Sequence, residues 1–132
     1  MQPRRLALCL VLAASPFAAG GCFLVAAGAG AAGAIAYTSR GATSVVAGTA
    51  DQVFDRAVAA FQQAGITETG RSTEDSGRQR KLIGTKGEYE VTADLNRATD
   101  STTKVEITAR KSAVEYDKEL AKDILDRILT TT

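Results

Sequence analysis

The sequence predicts an α+β domain, an antiparallel sheet of four to five strands with two helices packed on one face, in the order β-α-β-β-β-β-α. Three observations predict it. First, Val53, Phe54, Ala57, Val58, Phe61 and Ala64 recur at helical spacing, as do Leu120, Ala121, Ile124, Leu125 and Ile128. Second, Tyr89, Val91, Ala93 and Leu95 alternate with Glu88, Glu90, Thr92 and Asp94. Thr103, Val105, Ile107 and Ala109 alternate in the same way with Lys104, Glu106 and Arg110. Such alternation marks half-buried strands. Third, the last four extended segments are joined by short connections. These favour antiparallel pairing, since a parallel crossover needs about a dozen residues or more. One apolar face per element gives a single layer of helices on a single sheet. The opposite sheet face is then more polar, wet or covered by a partner.

The domain is placed at residues 42–132, a length of about 90 residues that supports an independent core. It opens with ATSVVAG, a run of β-formers ending at Gly48. Thr49 and Gln52 then fit a capping box at the start of the first helix. Gly65 is its natural left-handed stop, with Ile66 placed to pack back on the last turn. ITETGRST reads as a weak strand, EDSGR as a turn, and QRKLIGT as a strand ended by Lys86-Gly87. The two alternating strands follow, separated by the loop NRATDST. Ser112 and Glu115 offer a second capping box before the closing helix.

Ahead of the domain lies a different kind of sequence. Arg4 and Arg5 precede the apolar run LALCLVL, which continues through AASPFAA to small residues and Cys22. That order is a secretory signal, residues 1–21. A cysteine directly after the small residues is the one a lipoprotein-processing peptidase leaves at the new N-terminus, with diacylglycerol on its sulfur. Of the usual pattern of Leu, then Ala or Ser, then Gly or Ala before the cysteine, Ala19, Gly20 and Gly21 match at the last place. Two alternatives remain open. Cleavage after Ala18-Ala19-Gly20 would leave Cys22 a free thiol, and an unprocessed segment would act as an anchor. Leu6 to Ser39 carries no charge, but Pro16 and Gly20-Gly21 interrupt the run. The piece FLVAAGAGAAGAIAY would reach about 22 Å as a helix, short of the roughly 30 Å hydrocarbon core.

Residues 22–41 are therefore read as the lipidated cysteine and a Gly/Ala-rich tether. Loss of Arg4 and Arg5 with the signal changes 16 basic against 15 acidic residues into 14 against 15, a net charge of −1. Nothing in that balance suits nucleic acid. Cys9 leaves with the signal and Cys22 carries lipid, so the exported domain has no thiol and no disulfide.

The chain has no histidine. This removes the commonest general base and metal ligand. Neither a cofactor nor a metal site is expected, and catalytic residues are expected to be absent. Gly28-Ala29-Gly30-Ala31-Ala32-Gly33 matches G-x-G-x-x-G, but that pattern has meaning only within a βαβ unit, and none follows. Glu88, Glu90 and Asp94 share one outward strand face and are read as solvated acids. Arg78, Arg80 and Lys81 form a small basic run near a hairpin, read as a solvated edge that resists aggregation.

The lipobox, the Gly/Ala-rich stretch ending in Tyr37, TADQVFDRAVAAFQQAGI and AKDILDRIL together resemble a family of small bacterial lipoproteins with a domain of unknown function. The element order, with a helix ending in Ala-Gly-Ile before a strand, is also similar to the helix-grip domains of BamC, a lipoprotein of the outer-membrane β-barrel assembly machinery. Neither resemblance supplies active-site residues. With Phe23 rather than Asp after the cysteine, the expected place is the outer membrane, the domain anchored through lipid on Cys22 and facing the periplasm. It would act as a non-enzymatic interaction or envelope-structural module with envelope proteins as partners. The alternative is a small-molecule or lipid-binding lipoprotein. With four Phe, three Tyr and no Trp, the chain has no surplus of large apolar residues to line a ligand site.

Overall fold

In the computed structural model, residues 33–131 are described. They form β1 (Ala36–Tyr37), β2 (Gly41–Ala47), α1 (Ala50–Gln63), β3 (Thr67–Glu74), β4 (Gln79–Lys86), β5 (Tyr89–Arg97), β6 (Thr102–Arg110) and α2 (Lys118–Thr130). All strands join one antiparallel sheet in the order β1-β2-β6-β5-β4-β3. The sheet has six strands, where four to five were expected. The added strand is β1, from the segment read as tether. It lies along β2, pairing Ala36 with Thr43 and Tyr37 with Ala42. The signal peptide at residues 1–21 and the tether up to residue 32 lie outside the described residues.

The first helix is bounded by its own sequence. Gln52 N–H donates to Thr49 Oγ1 at 3.3 Å, and Thr49 N–H donates to Gln52 Oε1 at 3.1 Å. At the other end Gly65, at φ +71°, donates to Gln62 O, and Ile66 N–H donates to Phe61 O at 2.8 Å. These two bonds make a Schellman motif and take up carbonyls the helix cannot satisfy internally.

The second helix starts later than the Ser112/Glu115 box suggested. Its cap is Asp117, which accepts from Leu120 N–H at 2.9 Å. Ser112 Oγ instead accepts from Val114 and Glu115 N–H within a turn. The cause is tertiary: Tyr116 bridges to Arg110 and Asp117 N–H donates to Ala109 O, which holds the chain extended against the end of β6.

Strand alternation divides the sheet into two faces. Val46, Leu82, Val91, Ala93, Leu95, Val105 and Ile107 point to the helices and are buried with Val53, Phe61, Ile124, Leu125 and Ile128. Gly84 belongs to this face because α1 turns into β3 directly above it. A Cβ there would stand 2.5 Å from Ile66 Cγ2 and 3.2 Å from Phe61 Cε2. The other face is open and carries polar residues.

Candidate functional site

Cys22 lies outside the described residues, as do Gly28 to Ala32 of the G-x-G-x-x-G run. Gly33, its last glycine, donates its N–H to Val45 O at 2.9 Å, so that amide serves the sheet rather than a phosphate. Among the described residues, charged side chains gather on the open face of the sheet and at its two ends.

The open face is crossed by rows of facing residues set by the register. Glu90 stands opposite Arg110 and accepts from its Nη2 at 2.6 Å. Asp94 stands opposite Lys81, with Nζ 3.2 Å from Oδ1. Glu88 is not in the strand. It occupies the two-residue turn closed by Lys86 and Tyr89, and its Oε2 lies 2.9 Å from Lys111 Nζ. The bond to Glu88, followed by the charge of Glu115, raises the Lys111 pKa. The three carboxylates that alternation placed together are thus kept apart, each beside its own cation. On its other side Asp94 faces Glu106 across β5 and β6. That like-charged pair depends on register, which the strand pattern alone does not contain.

The basic run is split in the same way. Lys81 lies on the open face, and Arg78 lies in the turn before β4. Arg80 points to the helix side. It pairs with Asp51, and its guanidinium sits 5.3 Å from the centre of the Phe54 ring. Arg71 of β3 approaches the same ring at 5.5 Å, and Glu68 grips it through two bonds of 2.6 and 2.7 Å. That grip lowers the Glu68 pKa, chiefly through the hydrogen bonds from Arg71. Cation–ring contacts of this kind contribute about 0.5–1 kcal/mol at exposed sites.

Two hollows lie among the described residues. A shallow one of about 80 Å³ on the open face includes Ser72, Lys81, Asp94 and Asn96. A larger one of about 290 Å³ lies between the start of α1, the β3–β4 turn and the β5–β6 loop. Thr49, Asp51, Ser76, Arg80, Arg97 and Asp100 line it. Its cations are already engaged, Arg80 by Asp51 and Arg97 by Asp100. Ligand pockets are lined mainly by apolar and aromatic side chains with a few polar groups; neither hollow has such a lining. Among the described residues no three His, Cys, Asp or Glu converge as metal ligands. Nor is any helix among them long and apolar enough to cross a membrane.

The ion pairs give the open face a testable character. Exposed pairs contribute about 0–1 kcal/mol, so Glu90→Gln should keep the folding free energy within about 0.5 kcal/mol. Urea titration of the variant checks this. A loss above about 2 kcal/mol would show that the Glu90–Arg110 pair holds the sheet together.

Among curated proteins, none matches this chain in sequence. Residues 5–131 match the family described as a protein of unknown function, DUF3568, and that span takes in nearly the whole chain, so the protein belongs to this family.

Proposed function

We propose that this protein is an outer-membrane lipoprotein, anchored by lipid on Cys22, whose α+β domain faces the periplasm as a non-enzymatic interaction or envelope-structural module. The observation that carries the reading is the charged start, apolar run and small residues that end at Cys22. Phe23 follows the cysteine, where Asp would retain a lipoprotein in the inner membrane. The architecture supports a docking role over catalysis. Helices cover one sheet face, the other is open, and Glu88, Glu90 and Asp94 each have a basic neighbour. A closing helix against an antiparallel sheet also supports the likeness to helix-grip domains. Surfaces of this kind spread binding over many residues with a few dominant ones.

The test is mass spectrometry of the mature N-terminus. An acylated Cys22 is the expected species, and Cys22→Ala should shift the protein from the membrane fraction to the soluble fraction. A mature N-terminus at another residue, with Cys22 absent or unmodified, ends the reading. In a deletion strain, Glu90→Gln should complement as well as the parent protein does. A folded Glu90→Gln protein without function would turn the reading toward an enzyme.

A further inference from the structure

The geometry points to a releasable strap: residues 33–37 undock from β2 while the core stays folded, and so lengthen the link between Cys22 and the domain. The change of reach rests on the anchor proposed above; the undocking does not. The strap touches the rest of the sheet through β2 alone. Its ladder comprises two residue pairs, Ala36 with Thr43 and Tyr37 with Ala42. Beyond these, Gly33 N–H donates to Val45 O at 2.9 Å and Ser44 Oγ donates to Ala34 O at 2.8 Å. Ile35 packs at the margin of the core. Tyr37 is 52% exposed, and its side chain is tied to α2 by one bond, from its hydroxyl to Glu119 Oε1 at 3.1 Å.

These attachments come away one at a time from the Gly33 end, because each joins the strap to a separate residue. β2 does not leave with the strap. It pairs with β6 along its whole length, from Gly41 opposite Thr108 to Ala47 opposite Thr102. The pivot is the three-residue connection 38–40. Thr38 Oγ1 there accepts from Arg40 and Gly41 N–H, and Thr38 N–H donates to Gly41 O at 2.9 Å. Segments with few buried contacts and exposed hydrogen bonds open at a small fraction of the global free energy. Release frees residues 33–37, which span about 16–18 Å when extended, at roughly 3.3–3.6 Å per residue. Docked, the strap holds the domain near its anchor; released, it lets the domain reach a more distant partner.

Hydrogen exchange on the full chain in detergent tests this. Peptides covering residues 33–40 should exchange at least about a hundredfold faster than those covering 102–110. Tyr37→Phe should speed the first by roughly two- to tenfold, the effect of losing one hydrogen bond, and leave the second and the melting temperature unchanged. Trypsin should cut after Arg40 faster in Tyr37→Phe than in the parent protein. The strap is overturned if residues 33–40 exchange as slowly as 102–110, or if Tyr37→Phe speeds both equally. An unmodified Cys22 overturns the change of reach whatever the exchange shows.

Discussion

Gly41→Ala should lower the melting temperature by roughly 12–24 °C, the shift that about 3 kcal/mol produces in a domain of this size. Gly41 opens β2 and is buried against β6. A Cβ at this position would overlap the Ile107 carbonyl oxygen, and would stand 3.0 Å from Ile107 C and 3.2 Å from Thr108 Cα. All three are backbone atoms in a strand held on its far side by β5, where Ile107 pairs with Ala93. They have no side-chain torsion to yield, so relief requires breaking the ladder. Overpacking typically costs 1–3 kcal/mol and occasionally more, and a backbone obstacle belongs at the upper end. Gly70→Ala is the matched control. No atom lies within 4 Å of the Cβ it would add, so its stability should change by less than about 0.5 kcal/mol. Thermal melts of the two variants decide the point. A Gly41→Ala protein that melts with the parent would mean β2 stands further from β6.

Leu125→Ala should lose about 2–5 kcal/mol, the range for a buried leucine truncation. Leu125 is fully enclosed, on the face of α2 that also carries Ala121, Ile124 and Ile128. This face packs between β2 and β6 on one side and α1 on the other. Removing three carbons at such a meeting point leaves a void that neither the sheet nor the helix can close by itself. Urea denaturation with an unchanged slope and a lower midpoint is the expected record. A loss below about 1 kcal/mol would place Leu125 at the edge of the core.

Some of this was legible in the sequence because its causes are local. Thr49, Gln52, Gly65 and Ile66 bound α1 through bonds within a few residues. The alternations in β5 and β6 record a sheet face that is buried, and the turn at 75–77 shows in its Asp-Ser-Gly composition. What escaped has distant causes. Ser112 and Glu115 have the chemistry of a cap, but the pairing of Asp117 with Ala109 decides where α2 begins. Two residues, Ala36 and Tyr37, form too short a strand to show a period, and their pairing follows from β2 being left at an edge. The candidate surface fared similarly. That Glu90 points outward follows from alternation. That it meets Arg110, that Asp94 meets both Lys81 and Glu106, and that Glu88 falls in a turn all depend on register.

The sheet order also sets the sequence of events in folding. β3, β4, β5 and β6 are successive neighbours, each joined to the next by a short turn. Hairpins of this kind close in about 1–10 μs. β2 pairs with β6, and its partners are remote along the chain: Gly41 meets Thr108, 67 residues on, and Ala47 meets Thr102, 55 on. Closing so long a loop costs entropy before any contact offsets it, which slows topologies built on non-local pairs. Of the strands β2 to β6, β2 therefore arrives last, onto a meander already formed, and β1 can dock only after it. A chain emerging N-terminus first exposes GATSVVA, a strand with no charged residue, long before β6 exists to receive it. During that interval β2 is the segment most open to pairing with another unfinished chain.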